Sequence, residues 1–220
     1  MMLNDITLQA KDINELYQFY KNTLGLPVNK INSKNVLINA GKTSLLFESA
    51  NSTANPFYHF AFNLPSNTIE EAFQWLKNKV EVLWIEEYKN YIAEFSNWNA
   101  RSVYFTDPAG NILELIERTD LHDTIAEPFS SSHIRCISEI GIVCKDENFD
   151  ESVNELLHKF QLRYFSKQPP MRYFRAAGDD EGMFIIVPEH RHWFPTKIAS
   201  GIFPLSVKFI IDEKQYVLKL

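Results

Sequence analysis

The first half of this chain runs through the same order of patterns twice, offset by about 54 residues from Asp5 to His59. Internal repetition on that scale constrains the fold more than any single motif. Asp5 to Ala10 alternates as a short strand, with Ile6 and Leu8 opposite Asp5, Thr7 and Gln9. Asp12 then reads as a helix N-cap with Glu15 as its capping-box partner. Leu16, Phe19, Tyr20 and Leu24 follow at helical spacing, and the helix stops at Gly25. Strands are predicted around Val28–Ile31, Val36–Ala40 and Ser44–Glu48, with a Gly41-Lys42 turn between the last two. A polar linker, Asn51 to Pro56, precedes the second copy. There Phe57–Leu64 is a strand, Ser66 to Glu70 offers a helix cap, and Phe73, Leu76 and Val80 share one helical face. Strands are predicted at Val82–Ile85, Ile92–Phe95 and Ser102–Phe105.

The second copy closes on two strands joined by the turn residues Asp107-Pro108-Ala109-Gly110-Asn111. Alternation on the last strand puts Ile112, Glu114 and Ile116 on one face and Leu113 and Leu115 on the other. Glu114 is then a carboxylate within an apolar strand with no basic residue adjacent. Burying it unpaired is costly, so it calls for a hydrogen-bond partner, a metal, water, or an edge position facing solvent.

A second linker, Asp120 to Ser132, leads to a third and more divergent copy. It has a strand at Ile134–Cys144, a helix at Asn148–Phe160, and strands at Tyr173–Ala177, Met183–Val187, Leu205–Ile211 and Tyr216–Leu220. The reading is an α+β protein with a paired βαβββ domain over residues 1–119 and a third, divergent βαβββ-like module over 133–220.

Composition narrows the partners. A net charge of −6 without a basic cluster argues against nucleic acid. No apolar run approaches the roughly 20 residues of a membrane span. The N-terminus lacks a signal-peptide pattern, so the cytoplasm is the expected location. Cys136 and Cys144 fall on one predicted strand, roughly 26 Å apart if extended, and are expected to be buried free thiols.

The tandem βαβββ units carry a helix opening Lys11-Asp12-Ile13 that runs through Phe19-Tyr20 to Leu24-Gly25-Leu26. They close on Asp107-Pro108-x-Gly110-Asn111-x-x-Glu114. Together these resemble the vicinal oxygen chelate superfamily, which includes the glyoxalase I, fosfomycin-resistance, bleomycin-resistance and extradiol-dioxygenase families. The resemblance covers residues 1–118 closely and 134–220 loosely. It implies paired units forming a curled, partly open mixed sheet around a cavity, with inward residues of the first and last strands binding a divalent metal. Carried over residue by residue, Asp5 takes the place of the first ligand, seven residues ahead of Asp12. His59 takes that of the ligand on the first strand of the second unit, and Glu114 that of the closing glutamate.

The expected metal set is therefore Asp5, His59 and Glu114, suited to Mn²⁺, Fe²⁺, Zn²⁺ or Mg²⁺. Glu114 and Tyr104 are the catalytic candidates, Tyr104 as a proton donor or, on the other reading, a core aromatic. Ser44, Asn63, Trp98 and Ser102 are further groups that would line a cavity.

Some residues depart from the family pattern. Aspartate replaces the usual His or Gln at the first ligand, so the two-histidine, one-carboxylate set of non-haem iron oxygenases is absent. Leu46 stands where glyoxalase I has a glutamate, with Glu48 two residues on. Thiol transfer to an epoxide needs a basic anion pocket, for which Arg101 and Lys89 are the nearby cations. The resemblance implies a divalent-metal-dependent enzyme acting on a small oxygenated substrate, its type (lyase, isomerase, thiol-transferase or dioxygenase) unresolved. The alternative is a metal-free protein that sequesters a small ligand, as in bleomycin resistance. Glu139, seven residues before Asp146, occupies the position equivalent to Asp5 and His59. His190 and His192 lie between Pro188 and Pro195, where a loop is expected rather than a chelating strand. Because such units work in pairs, the third either docks on the first two or pairs with a second copy of the chain as a homodimer.

Overall fold

Asp12 starts the first helix as its position suggests. In the computed structural model, which describes residues 1–51 and 55–220, its side chain accepts the backbone N–H groups of Asn14 and Glu15, both at 2.9 Å. The strand β1 (Met2–Ala10) leads into this cap, and the helix α1 (Ile13–Gln18) continues as a π-helical turn over Phe19–Thr23. The hairpin strands β2 (Val28–Asn32), β3 (Asn35–Ala40) and β4 (Thr43–Ser49) complete the first unit. Residues 52–54 of the expected linker lie outside the described residues.

The second unit holds β5 (His59–Leu64), α2 (Ile69–Lys77), β6 (Ala93–Phe95), β7 (Ala100–Thr106) and β8 (Ile112–Arg118). Its helix is capped from a distance. The backbone N–H groups of Thr68 and Ile69 donate to the Glu117 carboxylate of β8 at 2.8 and 2.9 Å, and Thr68's own hydroxyl bonds elsewhere. The strand expected at Val82–Ile85 is reduced to two isolated bridges, Val82 to Phe105 and Ile85 to Asn90. The third unit holds β9 (Cys136–Cys144), α3 (Phe149–Phe160), β10 (Arg175–Asp179) and β11 (Gly182–Pro188), followed by a hairpin of β12 (Ser206–Ile211) and β13 (Lys214–Lys219). Both cysteines are buried and free, as expected. No helix among the described residues is long and apolar enough to cross a membrane.

The partners of the units differ from the pairing that the repeat suggests. The first and second units do not share a sheet. One sheet runs β13-β12-β1-β4-β3-β2 and joins the first unit to the C-terminal hairpin; the other runs β10-β11-β9-β5-β8-β7-β6 and joins the second unit to the third. The seam of the second sheet is antiparallel, β5 against β9, with Ala61 opposite Glu139 and Phe60 opposite Ile140. Thus the expected division of a paired domain from a separate third module does not follow the sheets. The third unit docks on the second, and the main core cluster draws residues from both sheets and all three helices.

Two of the contacts that join the sheets involve turns. Asp107, in the turn before β8, accepts the Tyr20 hydroxyl at 2.7 Å, the N–H groups of Ala109 and Asn111 at 3.0 Å, and the Asn111 amide at 2.8 Å. The closing motif is therefore a clamp between the first unit and β8. At the other contact, the Gly41 turn lies against the start of β9, where the N–H of Lys42 donates to the carbonyl of Arg135 at 2.8 Å. Gly41 has φ +57, and a Cβ there would sit 2.0 Å from that carbonyl oxygen. A side chain here meets both a left-handed backbone and a collision with main chain.

Gly110 offers a control, since it has φ +83 but open space around its missing Cβ. Gly110→Ala is expected to cost about 1 kcal/mol, the conformational term alone, and Gly41→Ala at least about 3 kcal/mol as strain and overlap add. Urea unfolding of the two variants, with unchanged m-values, checks the difference.

Candidate metal centre

Alternation splits the central strands of the second sheet between two buried faces. Phe60, Phe62, Leu113, Leu115, Ile140 and Ile142 enter the main core. The opposite, concave face carries His59, Ala61, Ile112, Glu114, Ile116 and Glu139. On it one row of cross-strand neighbours runs Tyr104, Glu114, Ala61, Glu139, Met183, over β7, β8, β5, β9 and β11. The small Ala61 lies between two carboxylate-bearing strands and leaves room above them. His59 is two residues along β5 on the same face. The ligating atoms of His59, Glu114 and Glu139 lie within 4.8 Å of one another. Two atoms each ~2.1 Å from a shared cation are separated by at most about 4.2 Å, so the cluster is at, or slightly wider than, ligating size.

His59 is prepared as a neutral ligand. Its Nδ1 lies 3.0 Å from the carbonyl of Ile112, which fixes Nδ1 as the protonated nitrogen and leaves the Nε2 lone pair free. Burial pushes its pKa down to about 4 despite that bond, so the ring is uncharged at neutral pH. Trp193 packs on it at 5.0 Å between ring centroids. Gly141 of β9 makes the approach possible, because a Cβ there would lie 2.6 Å from the Trp193 ring. His59 Nε2 and Glu114 Oε2 are 3.7 Å apart, beyond hydrogen-bond range but suited to two ligands of one ion. A neutral imidazole makes no salt bridge, so this spacing is not an ion pair.

The two glutamates share a deficit of positive charge. Burial, then the charge of Glu139, raises the pKa of Glu114; burial also raises that of Glu139, opposed by Arg118. Arg118 is fully buried at the end of β8 and hydrogen-bonds Glu139 through Nη2. It also lies 3.7 Å from Asp180 and over the Trp98 ring. Its Nε is buried without a partner among the described residues. Tyr104, opposite Glu114, is held protonated by burial and by the same two carboxylates, which push its pKa up.

Asp5 is not part of this cluster, contrary to the expectation from the resemblance. It lies in the other sheet, is 47% exposed at its side chain, and faces Lys208 at 3.5 Å. The register explains why. The first-sheet row equivalent to that of Ala61 runs Leu37, Leu46, Thr7, Ser206, so Leu46 stands in for Glu114 and Ser206 for Glu139. That row holds no carboxylate, and the two on its face, Asp5 and Glu48, lie on opposite sides of it, whereas the second sheet brings three ligands together.

Glu139, at the seven-residue spacing, takes the position that Asp5 was expected to fill. Arg118 was missed, although it is four residues from Glu114 and alternates onto the same face. Of the other expected cavity groups, Trp98 does line the cavity and donates its indole N–H to Gln168 at 3.0 Å. Asn63 and Ser44 lie away from it, Ser44 in the first sheet. His190 and His192 are exposed, and the neighbouring Arg191 and Trp193 reach the cavity instead.

Metallothiol transferase FosB of Staphylococcus epidermidis is 27% identical over 119 residues, covering 51% of this chain and 79% of that protein. A proposed dioxygenase from Bacillus subtilis superposes with a TM-score of 0.58 at 18% identity, over 85% of this chain. The chain spans 63% of the length of that structure, and the likeness is one of fold. Lactoylglutathione lyase from Agrobacterium tumefaciens aligns at 24% identity with a TM-score of 0.43, covering 53% of this chain and 92% of that one. The sequence model of the Glyoxalase/Bleomycin resistance protein/Dioxygenase superfamily matches residues 2–115, about half of the chain, and the chain belongs to that superfamily.

Proposed function

We propose that this protein is a divalent-metal-dependent enzyme acting on a small oxygenated substrate, with His59, Glu114 and Glu139 as the metal-binding residues. One observation carries the reading. Two buried carboxylates and a neutral imidazole converge on one cavity, and only one of the carboxylates, Glu139, is paired with a buried guanidinium, that of Arg118. The remaining negative charge calls for a proton or a cation, since an uncompensated buried carboxylate is costly. The donor set, one nitrogen and carboxylate oxygens, suits Mn²⁺, Fe²⁺, Zn²⁺ or Mg²⁺. A divalent cation bound there supplies Lewis-acid polarisation of substrate oxygens.

The chain's own residues do the rest. Arg118 holds Glu139 in place as an outer partner, and the carbonyl of Ile112 orients the His59 ring. Tyr104 is a neutral hydroxyl beside Glu114, positioned to donate a hydrogen bond or a proton to a bound oxygen. The largely apolar walls of a cavity of about 390 Å³ limit the water around this chemistry. The Staphylococcus relative is a metallothiol transferase, which agrees with metal-assisted chemistry. At that identity its reaction does not carry over.

The raised pKa of Glu114 favours a second reading. A proton shared between Glu114 and Glu139 also balances the site, and the cavity then serves as a metal-free trap for a small ligand.

Titration with Mn²⁺ or Zn²⁺ separates the two. One cation per chain is expected, with affinity falling at least about 100-fold in His59→Ala and in Glu139→Gln, a loss of roughly 2.7 kcal/mol. Asp5→Ala should leave it unchanged. Ligand binding with no stoichiometric metal in the unaltered protein would support the trap.

Arg118 offers an independent measurement. Arg118→Met leaves Glu139 buried without its partner and is expected to cost about 3–5 kcal/mol in urea unfolding. Arg118→Met/Glu139→Met should recover at least half of that loss.

A further inference from the structure

Wherever this chain withdraws a guanidinium from water, it supplies a carboxylate. Arg118 meets Glu139, Arg175 meets Asp150 at 2.7 Å, Arg101 meets Glu70 and Glu117, and Arg135 meets Asp123. Arg191 breaks the pattern. It is half-buried and lines the same cavity as the candidate metal centre, yet no carboxylate among the described residues pairs with it. Its Nη1 donates to the adjacent carbonyl of His192 at 3.2 Å, and the guanidinium lies 5.3 Å from the centre of the Phe174 ring. A guanidinium carries five donors in a planar fork, so most of this one's capacity is unused.

The rest of the lining narrows what would fill that capacity. Gln168 is occupied, accepting the Trp98 indole N–H at 3.0 Å and donating to the carbonyl of Pro169 at 3.0 Å. Glu87 is exposed. Apart from the metal-binding residues and the exposed Glu87, Arg191 is the cavity's one charged side chain among the described residues, and it has no carboxylate partner. The walls are flat and apolar, built from Tyr88, Phe95, Trp98, Phe174, Trp193 and Phe194. The Tyr104–Phe194 and Phe95–Phe194 rings meet edge to face at 5.4 and 6.0 Å, so the walls are braced against each other. The volume of about 390 Å³ is near the lower end of the roughly 300–1,000 Å³ of small-molecule sites.

We infer that the cavity takes a flat aromatic carboxylate, with its ring among these side chains and its carboxylate on Arg191. The inference names a substrate class for the site proposed above and rests on that cavity being the substrate site. Arg191 is assigned as a specificity-determining residue, paired with the ligand as the other withdrawn arginines are paired within the chain. The metal-binding residues and Tyr104 are left for other oxygens of the same molecule.

Phenylacetate, phenylacetamide and acetate are the probes, read by quenching of tryptophan fluorescence and by calorimetry. The full chain is used, both stripped with chelator and loaded with Mn²⁺. Phenylacetate should bind at least tenfold tighter than either control. Arg191→Met should abolish the preference for acid over amide, Arg191→Lys should keep part of it, and Arg172→Met, at an exposed arginine, should keep all of it. The preference should survive in His59→Ala and in the stripped protein, so a failure of metal binding leaves this result standing. A preference lost in His59→Ala but kept in Arg191→Met would place the carboxylate on the metal-binding residues and overturn the assignment. Equal binding of acid and amide, or inorganic phosphate competing as well as phenylacetate, would overturn it too.

Discussion

The antiparallel seam between β5 and β9 is the contact on which the site depends. It places Ala61 between Glu114 on one side and Glu139 on the other, and so assembles a cluster from residues far apart in the chain. A slip of one residue would turn Glu139 into the main core and an isoleucine into the cavity, since side chains alternate with a period of two. The seam contains an irregularity between Ala61 and Phe62, which pair with Glu139 and Ile137. The extra residue, Ser138, resets the alternation. Ile137, Ile140 and Ile142 all reach the main core, while Glu139 stays on the concave face. A bulge that re-aims one side chain beside a functional cluster is a recurrent device of sheets.

The two sheets repeat one architecture with opposite electrostatic outcomes. In the first, Asp5 is half-exposed and Lys208 lies beside it, so the charge is closed within a solvated pair of small energetic weight. In the second, the carboxylates are buried, and one guanidinium cannot balance both. Covering chain makes the difference. The turn at Ser96–Trp98 and the segments on either side of β10 and β11 close over the second sheet, with Trp98 and Gln168 bonded across the opening. Burial strengthens whatever electrostatic interaction the site makes, and it raises the cost of leaving that interaction unmade.

The parts of this arrangement set by local pattern were legible in the sequence. Alternation and capping residues located most strands and the helix starts, and Glu114 stood out as a carboxylate in an apolar strand. His59 came from the repeat position. The choice of partner strand was not legible, because Asp5 and Glu139 both sit seven residues ahead of a helix-opening aspartate and carry the same local signature. Which of them joins His59 is decided by whether β5 pairs with β1 or β9, a tertiary choice that leaves no mark on either strand alone. The cap of α2 was misplaced for a similar reason. Glu117 supplies it from β8, and only the fold brings that carboxylate to Thr68 and Ile69. Arg118 reads as the polar end of a strand until the crossing of the linker and the third unit seals it from water.

The third unit shows how a repeat diverges to serve its neighbour. After α3 it forms two strands where the earlier units form three, and the chain between α3 and β10 holds only isolated bridges, Tyr164 to Ala177 and Met171 to Phe174. Gln168, Met171 and Phe174 of that stretch line the cavity, as do Arg191, Trp193 and Phe194 from the segment after β11. An edge strand in their place would satisfy its own backbone but present alternate side chains to opposite faces, so only half of them could reach the site. Irregular chain lets several consecutive residues turn toward one ligand, provided its polar groups find partners. Here the N–H of Trp193 donates to the carbonyl of Ile198 at 2.9 Å, and the N–H of Ser200 to that of Arg191 at 2.8 Å. The divergence that weakens the third copy as a repeat is what lets its chain wall the cavity over the second copy's carboxylate and histidine.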